Sequence, residues 1–271
     1  MKHSLTSAML VMVLLLVGCA QPEATLMPST ATPMPTLTPT PLPECHEPGK
    51  LVTDKVLFPD TGENHIIAVY LPPCYAEYTD ATYPVLYWTN ARTWWQQLYD
   101  VSDRLTDKGD VPAFIQVLIQ IDPNKGLGAD EQIVNYVVPY IDSHYRTQPD
   151  RLHRSITGYS NGAAIAIRSA FRATDVFSRV AVLSGGIAGG EQEKFTNWIS
   201  AMPPDQHPQV MLDVGDQDAI LVLTTYLTDV LDQSKYPYTF VHSPGDHGAE
   251  YTDEHLENIL KWLIAEHQET N

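Results

Sequence analysis

Two apolar runs, YPVLYWT at 83–89 and AFIQVLIQI at 113–121, limit what this chain can fold into. Neither alternates in the way that leaves one strand face in water; each has the near-continuous hydrophobicity of a strand covered on both faces. Such strands belong to parallel sheets, whose neighbours are joined by crossovers that are usually helices. The chain supplies both parts. HRSIT (153–157), RVAVLS (179–184), QVMLDV (209–214) and the run leading into Ser243 read as further strands. Helical spacing lies between and after them: Asp130 to Tyr145, with Ile133, Val137 and Ile141 on one stripe, then Gly162 to Phe171, Ala219 to Leu231 and Asp253 to Ala265. Ahead of these, KLVTDKVLF (50–58) and HIIAVYL (65–71) flank the turn formers PDTGEN and read as an antiparallel hairpin. The expected class is α/β: a mostly parallel central sheet with an N-terminal antiparallel hairpin and helices on both faces.

The first 44 residues do not share this pattern. MKHSLTSAMLVMVLLLVGCA starts with Lys2 and His3, runs apolar from Ala8 to Val17 and ends in small residues, as an export signal does. The run is too short to span a bilayer comfortably. Leu16-Val17-Gly18-Cys19 resembles a bacterial lipobox, in which the signal is cut before the cysteine and the thiol is lipidated. Residues 21–44, dense in threonine and proline, have no apolar periodicity and suit an extended tether. The expected organisation is a lipoprotein signal peptide at 1–18, a tether at 19–44 and one folded domain at 45–271, held on the extracytoplasmic side of a membrane through Cys19. Of three cysteines, Cys45 and Cys74 then remain as a pair in an oxidising compartment. A disulfide there is worth about 3 to 4 kcal/mol; the alternative is two unrelated buried thiols.

A formal net charge of -17 repels phosphate backbones and anionic headgroups, which argues against nucleic acid as a partner. A small molecule or a neutral polymer such as a polysaccharide suits it better.

Gly158-Tyr159-Ser160-Asn161-Gly162 fits G-x-S-x-G, a pentapeptide that means little by itself. Its place means more: it follows a strand and opens a helix, the sharp turn that presents a serine hydroxyl above a sheet edge. A serine hydroxyl needs a base to take its proton and a carboxylate to orient that base. The turn after QVMLDV offers Asp218 at its far end, with Asp216 as runner-up; Asp213 ranks last because it lies within the strand. Of ten histidines, His247 stands in a glycine-containing loop between a strand and the last helix, where such a base belongs. His242 lies in the strand, as a core or edge residue, and His144, His153 and His255 read as surface residues. A metal site built from Asp246, His247, Glu250 and His255 lacks the spacing that puts ligands on one helix face. No metal or organic cofactor is expected.

With these residues in place, the chain resembles the putative-esterase family of α/β-hydrolases, which includes esterase D, enterochelin esterases and feruloyl esterases. The resemblance spans roughly residues 66 to 265 and rests on VYLPPCY, YPVLY, YIDSHYRTQPDRLHRSITGYSNGAA, LDVGDQD and PGDHGAEY. It implies Ser160 as nucleophile, Asp218 as acid and His247 as base. It also implies an oxyanion hole from the backbone N–H of Asn161 and a donor near Ala91. Two places depart from the family. Thr89-Asn90-Ala91 stands where Leu-His-Gly is usual, and Thr252 stands where a tryptophan is frequent.

The function expected is a serine carboxylic-ester hydrolase working through an acyl-enzyme on a small-molecule or polysaccharide-linked ester. Arg92, Trp94, Trp95 and Tyr159 are candidate pocket residues, the last three as aromatic surfaces for an aryl acyl group or a sugar ring. The alternatives are an acyltransferase using the same triad, and a non-catalytic surface binding protein with an impaired oxyanion hole.

Overall fold

The computed structural model describes residues 45, 47–90, 96–120 and 128–265. The expected signal, tether and Cys19, together with Ala91, Arg92, Trp94 and Trp95, lie outside the described residues.

Eight strands form one sheet in the order β1-β2-β4-β3-β5-β6-β7-β8. The strands β1 (Lys50–Phe58) and β2 (Glu63–Leu71) pair antiparallel along their whole length. β2 joins the rest by an antiparallel pairing with β4 (Ile115–Ile119). From there the sheet is parallel through β3 (Val85–Thr89), β5 (Arg154–Tyr159), β6 (Arg179–Leu183), β7 (Gln209–Gly215) and β8 (Thr239–Ser243). Every residue of β3, β4 and β6 is buried, as their unbroken apolar sequences require of strands covered on both sides.

Helices cover both faces. On one side α4 (Asn161–Arg172), α5 (Gln192–Ala201) and α6 (Leu221–Gln233) enclose a core containing Tyr87, Ile156, Ala166, Phe195 and Leu227. On the other, α1 (Gln96–Asp107) and α7 (Ala249–Ile264) cover Leu86, Trp88, Leu118 and Met211 with Leu98, Leu105, Leu256 and Leu260. Among the described residues no helix is long and apolar enough to cross a membrane.

The helix expected from Asp130 to Tyr145 is divided into α2 (Ala129–Gln132), a π-helical segment (Ile133–Val137) and α3 (Val138–His144). Pro139 accounts for the break, because it has no N–H to donate to the preceding turn. The stripe survives: Ile133, Val137 and Ile141 are fully buried. Cys45 and Cys74 are joined by a disulfide that fastens the start of the domain to the segment just beyond β2.

Candidate active site

The parallel strands all end on the same side of the sheet, and the end of β3 meets the loops beyond β5, β7 and β8 there. Ser160, between β5 and α4, has φ 56° and ψ -120°, a left-handed backbone that an L residue holds only when its surroundings impose it. They do. Thr89, at the end of β3, brings its Oγ1 to 2.6 Å from the Gly162 carbonyl and 3.1 Å from that of Thr157. A Cβ added at Gly158 or Gly162 would lie 2.2 Å from Thr89, against its hydroxyl or its carbonyl oxygen. Only glycines allow the two segments to approach this closely. The Ser160 N–H donates to the Leu183 carbonyl at 2.9 Å, which ties the turn to β6 as well.

His247 comes to this serine from the loop between β8 and α7. Its Nε2 lies 3.0 Å from Ser160 Oγ, and its Nδ1 lies 2.9 and 3.0 Å from the two oxygens of Asp218. An ionised carboxylate only accepts, so Nδ1 carries the proton and Nε2 is left as acceptor for the serine hydroxyl. The Asp218 side chain has no solvent exposure, whereas His247 retains 31%. The Ile220 N–H donates to Asp218 Oδ1 at 2.8 Å and fixes the carboxylate from behind.

The runner-up acid has a different place. Asp216 is exposed in the turn after β7, and its Oδ1 accepts from the Gly245 N–H at 3.2 Å. It braces the histidine loop from outside. Asp213, within β7, is 3% exposed and lies against His255, whose Nδ1 stands 2.9 Å from each of its oxygens. The expectation of a surface histidine at 255 is therefore corrected: its side chain is 20% exposed and bonded to a buried carboxylate. The reason is the helical turn that stacks His255 one step beyond Tyr251, over the same strand end. His144 and His153 are exposed, and His242 lies exposed on the edge strand β8.

Two contacts at the site have no signature in the sequence. The Tyr159 hydroxyl donates to the backbone carbonyl of His247, and its ring centroid lies 5.0 Å from the imidazole. Tyr251 donates to Asp213 Oδ1 at 2.7 Å and lies 3.0 Å from Ser243 Oγ. Burial, reinforced by Asp213 and partly opposed by Ser243, pushes the Tyr251 hydroxyl above the ordinary phenol range and keeps it a donor.

Asn161 occupies the first position of α4, where a helix start leaves backbone N–H groups without intrahelical partners. That end also carries the positive pole of the helix, directly beside Ser160. Among the described residues no group of three or more His, Cys, Asp or Glu side chains is placed to hold a metal ion.

Residues 59–263 match the family described as "Putative esterase". The chain belongs to that family. Membership makes it a carboxylic-ester hydrolase by class. Solved structures share the fold: a ferulic acid esterase is 22% identical with a TM-score of 0.71, over 81% of this chain and 98% of that one. A ferulic acid esterase from Anaeromyces mucronatus, in complex with ferulic acid, is 17% identical with a TM-score of 0.66, over 83% and 94%. An S-formylglutathione hydrolase from Agrobacterium tumefaciens is 15% identical with a TM-score of 0.64, over 82% and 97%.

Proposed function

We propose that this esterase works through a Ser160–His247–Asp218 triad and an acyl-enzyme. The observation that carries the reading is the position of His247, whose two ring nitrogens lie within hydrogen-bond reach of Ser160 and Asp218 at once. His247 Nε2 takes the Ser160 proton as Oγ attacks the ester carbonyl, and the tetrahedral oxyanion is held by the Asn161 N–H and a second donor near Ala91. Collapse expels the alcohol, which receives the proton from His247. Water, activated by the same histidine, then releases the acid and restores the hydroxyl.

The acyl group we propose is aromatic, carried on a small alcohol or a polysaccharide, since a fold relative is solved with ferulic acid bound. Trp94, Trp95 and Tyr159 are the proposed aromatic surfaces. We further propose that the enzyme is a lipoprotein anchored through Cys19 on the extracytoplasmic side; the disulfide between Cys45 and Cys74 supports an oxidising compartment.

Hydrolysis of nitrophenyl acetate and methyl ferulate by the purified protein and by Ser160→Ala tests the chemistry, with a fluorophosphonate to label the nucleophile. Turnover and labelling that both vanish in the variant support the proposal. An inactive, unlabelled wild-type protein sinks it in favour of a binding protein, and transfer to an added alcohol in place of hydrolysis reassigns the enzyme as an acyltransferase.

A further inference from the structure

We infer that Asp213, Ser243, Tyr251 and His255 form a closed ring of polar contacts that positions the His247 loop, with Tyr251 and His255 as positioning residues. The inference rests on the triad reading above. Each corner of the ring is a direct contact: Ser243 Oγ to the Tyr251 hydroxyl at 3.0 Å, Tyr251 to Asp213 at 2.7 Å, Asp213 to His255 Nδ1 at 2.9 Å, and His255 Nε2 back to Ser243 Oγ at 3.4 Å. The ring draws on three elements, β7, β8 and α7. Those elements carry or flank the proposed acid and base.

Its location gives it a purpose. Ser243 ends β8 four residues before His247, and Tyr251 stands on α7 four residues after it, so the ring clamps both ends of the histidine loop. The Tyr251 ring also forms the floor of that loop: a Cβ at Gly245 would lie 2.3 Å from Tyr251 Cδ2. On the other side, Asp213 is five residues ahead of Asp218, and its carbonyl accepts from the Ser184 N–H at 2.8 Å. The two loops are then stitched directly, by the Asp216 N–H to the Ser243 carbonyl at 2.9 Å and the Gln217 N–H to the Gly245 carbonyl at 2.8 Å. A shift in the ring therefore moves Asp218 and His247 relative to each other.

Ser243, His255 and Asp213 have the composition of a second triad, yet the geometry is that of a brace. Ser243 has none of the positive φ that Ser160 has. Its hydroxyl is shared between Tyr251 and His255, and Tyr251 competes with His255 for the same carboxylate oxygen. A nucleophile needs an undivided base; a brace needs these cross-links.

The test compares the full-length wild-type protein with Ser160→Ala, Tyr251→Phe, His255→Leu and His255→Asn. It measures kcat and KM on nitrophenyl acetate, melting temperature, and the downfield proton resonance of the His247–Asp218 bond. Misplacing a catalytic group by about an ångström costs on the order of a hundredfold in rate. Tyr251→Phe keeps the ring beneath Gly245 and loses only the hydroxyl, so kcat is expected to fall about ten- to a hundredfold, KM to stay within about twofold, and the resonance to broaden or move. His255→Leu behaves alike, and His255→Asn, whose amide nitrogen replaces Nδ1, recovers most of the loss. The inference is overturned if Tyr251→Phe and His255→Leu keep wild-type kcat and resonance, or if kcat falls only in step with the folded fraction. A wild-type protein that neither turns over nor labels, unlike those outcomes, overturns the triad reading and this inference together.

Discussion

The hydroxyl of Tyr159 donates to the backbone carbonyl of His247. The residue just before the proposed nucleophile thus holds the chain of the proposed base, across 88 positions of sequence. Removing that hydroxyl as Tyr159→Phe keeps the ring against the core and costs one hydrogen bond, about 1 kcal/mol. We expect kcat on nitrophenyl acetate to fall roughly fivefold, with little change in melting temperature. An unchanged kcat would show that the loop is held well enough without it.

The two candidate acids separate cleanly by substitution. Asp218→Asn removes the charge that orients and supports His247, and loss of the orienting carboxylate in serine proteases costs about four orders of magnitude in kcat. Asp216→Asn, exposed and bonded only to the outside of the loop, should cost less than about threefold, in line with a weak, solvent-facing contact. Steady-state kinetics on both variants decide between them, and a larger loss at Asp216 would reverse the assignment.

Gly162→Ala tests the packing of the serine turn. The new methyl would meet the Thr89 carbonyl oxygen at 2.2 Å, and backbone cannot swing aside as a flexible side chain can. Overpacking of this kind costs about 1 to 3 kcal/mol, which at roughly 2 to 4 °C per kcal/mol for a domain this size is readable by calorimetry. Phosphonate labelling should slow as well, because the displaced segment carries Ser160.

Acid stability should depend on Glu191. Burial alone would raise its pKa, but hydrogen bonds from Arg168 and the Ala188 N–H, with the charges of Arg168 and Lys194, hold the carboxyl below its ordinary value. A carboxylate whose pKa is depressed on folding adds stability above its unfolded pKa, and that stability is lost as pH falls through the folded value. Glu191→Gln should lower the melting temperature by about 2 °C at neutral pH, since such pairs are worth at most about 1 kcal/mol. The gap should close as pH falls into the acid range. A gap that stays constant with pH would mean that shape, and not charge, is what the substitution removes.

Much of the molecule can be read from its residues. The sheet was legible because VLYWT and IQVLI are buried at every position, and no other arrangement covers both sides of such strands. Helices α1 and α5 were not read. In α5 the apolar residues Phe195, Trp198 and Ile199 fall within little more than one turn, too short a stretch for periodicity to stand out. The serine turn has a local signature, and so does the order in which acid and histidine follow it. The pairing of Asp213 with His255 has none: the residues are 42 positions apart and meet only because β7, β8 and α7 are packed in register. Tyr159 is a similar case, since its neighbours in sequence say nothing of a partner 88 residues away.

The disulfide sets where tension enters the domain. β1 is the outermost strand of the sheet, held on one side only by its antiparallel ladder with β2, an arrangement that a pull on its leading end would unzip one pair at a time. Cys45 precedes β1 and is bonded to Cys74, beyond β2, so the whole hairpin lies inside a covalent loop. A force applied from the N-terminal side passes across the sulfur bridge to Cys74 and into the segment leading to β3, a central strand flanked on both sides. The β1 edge of the sheet is taken out of the mechanical path, and a reducing agent would put it back.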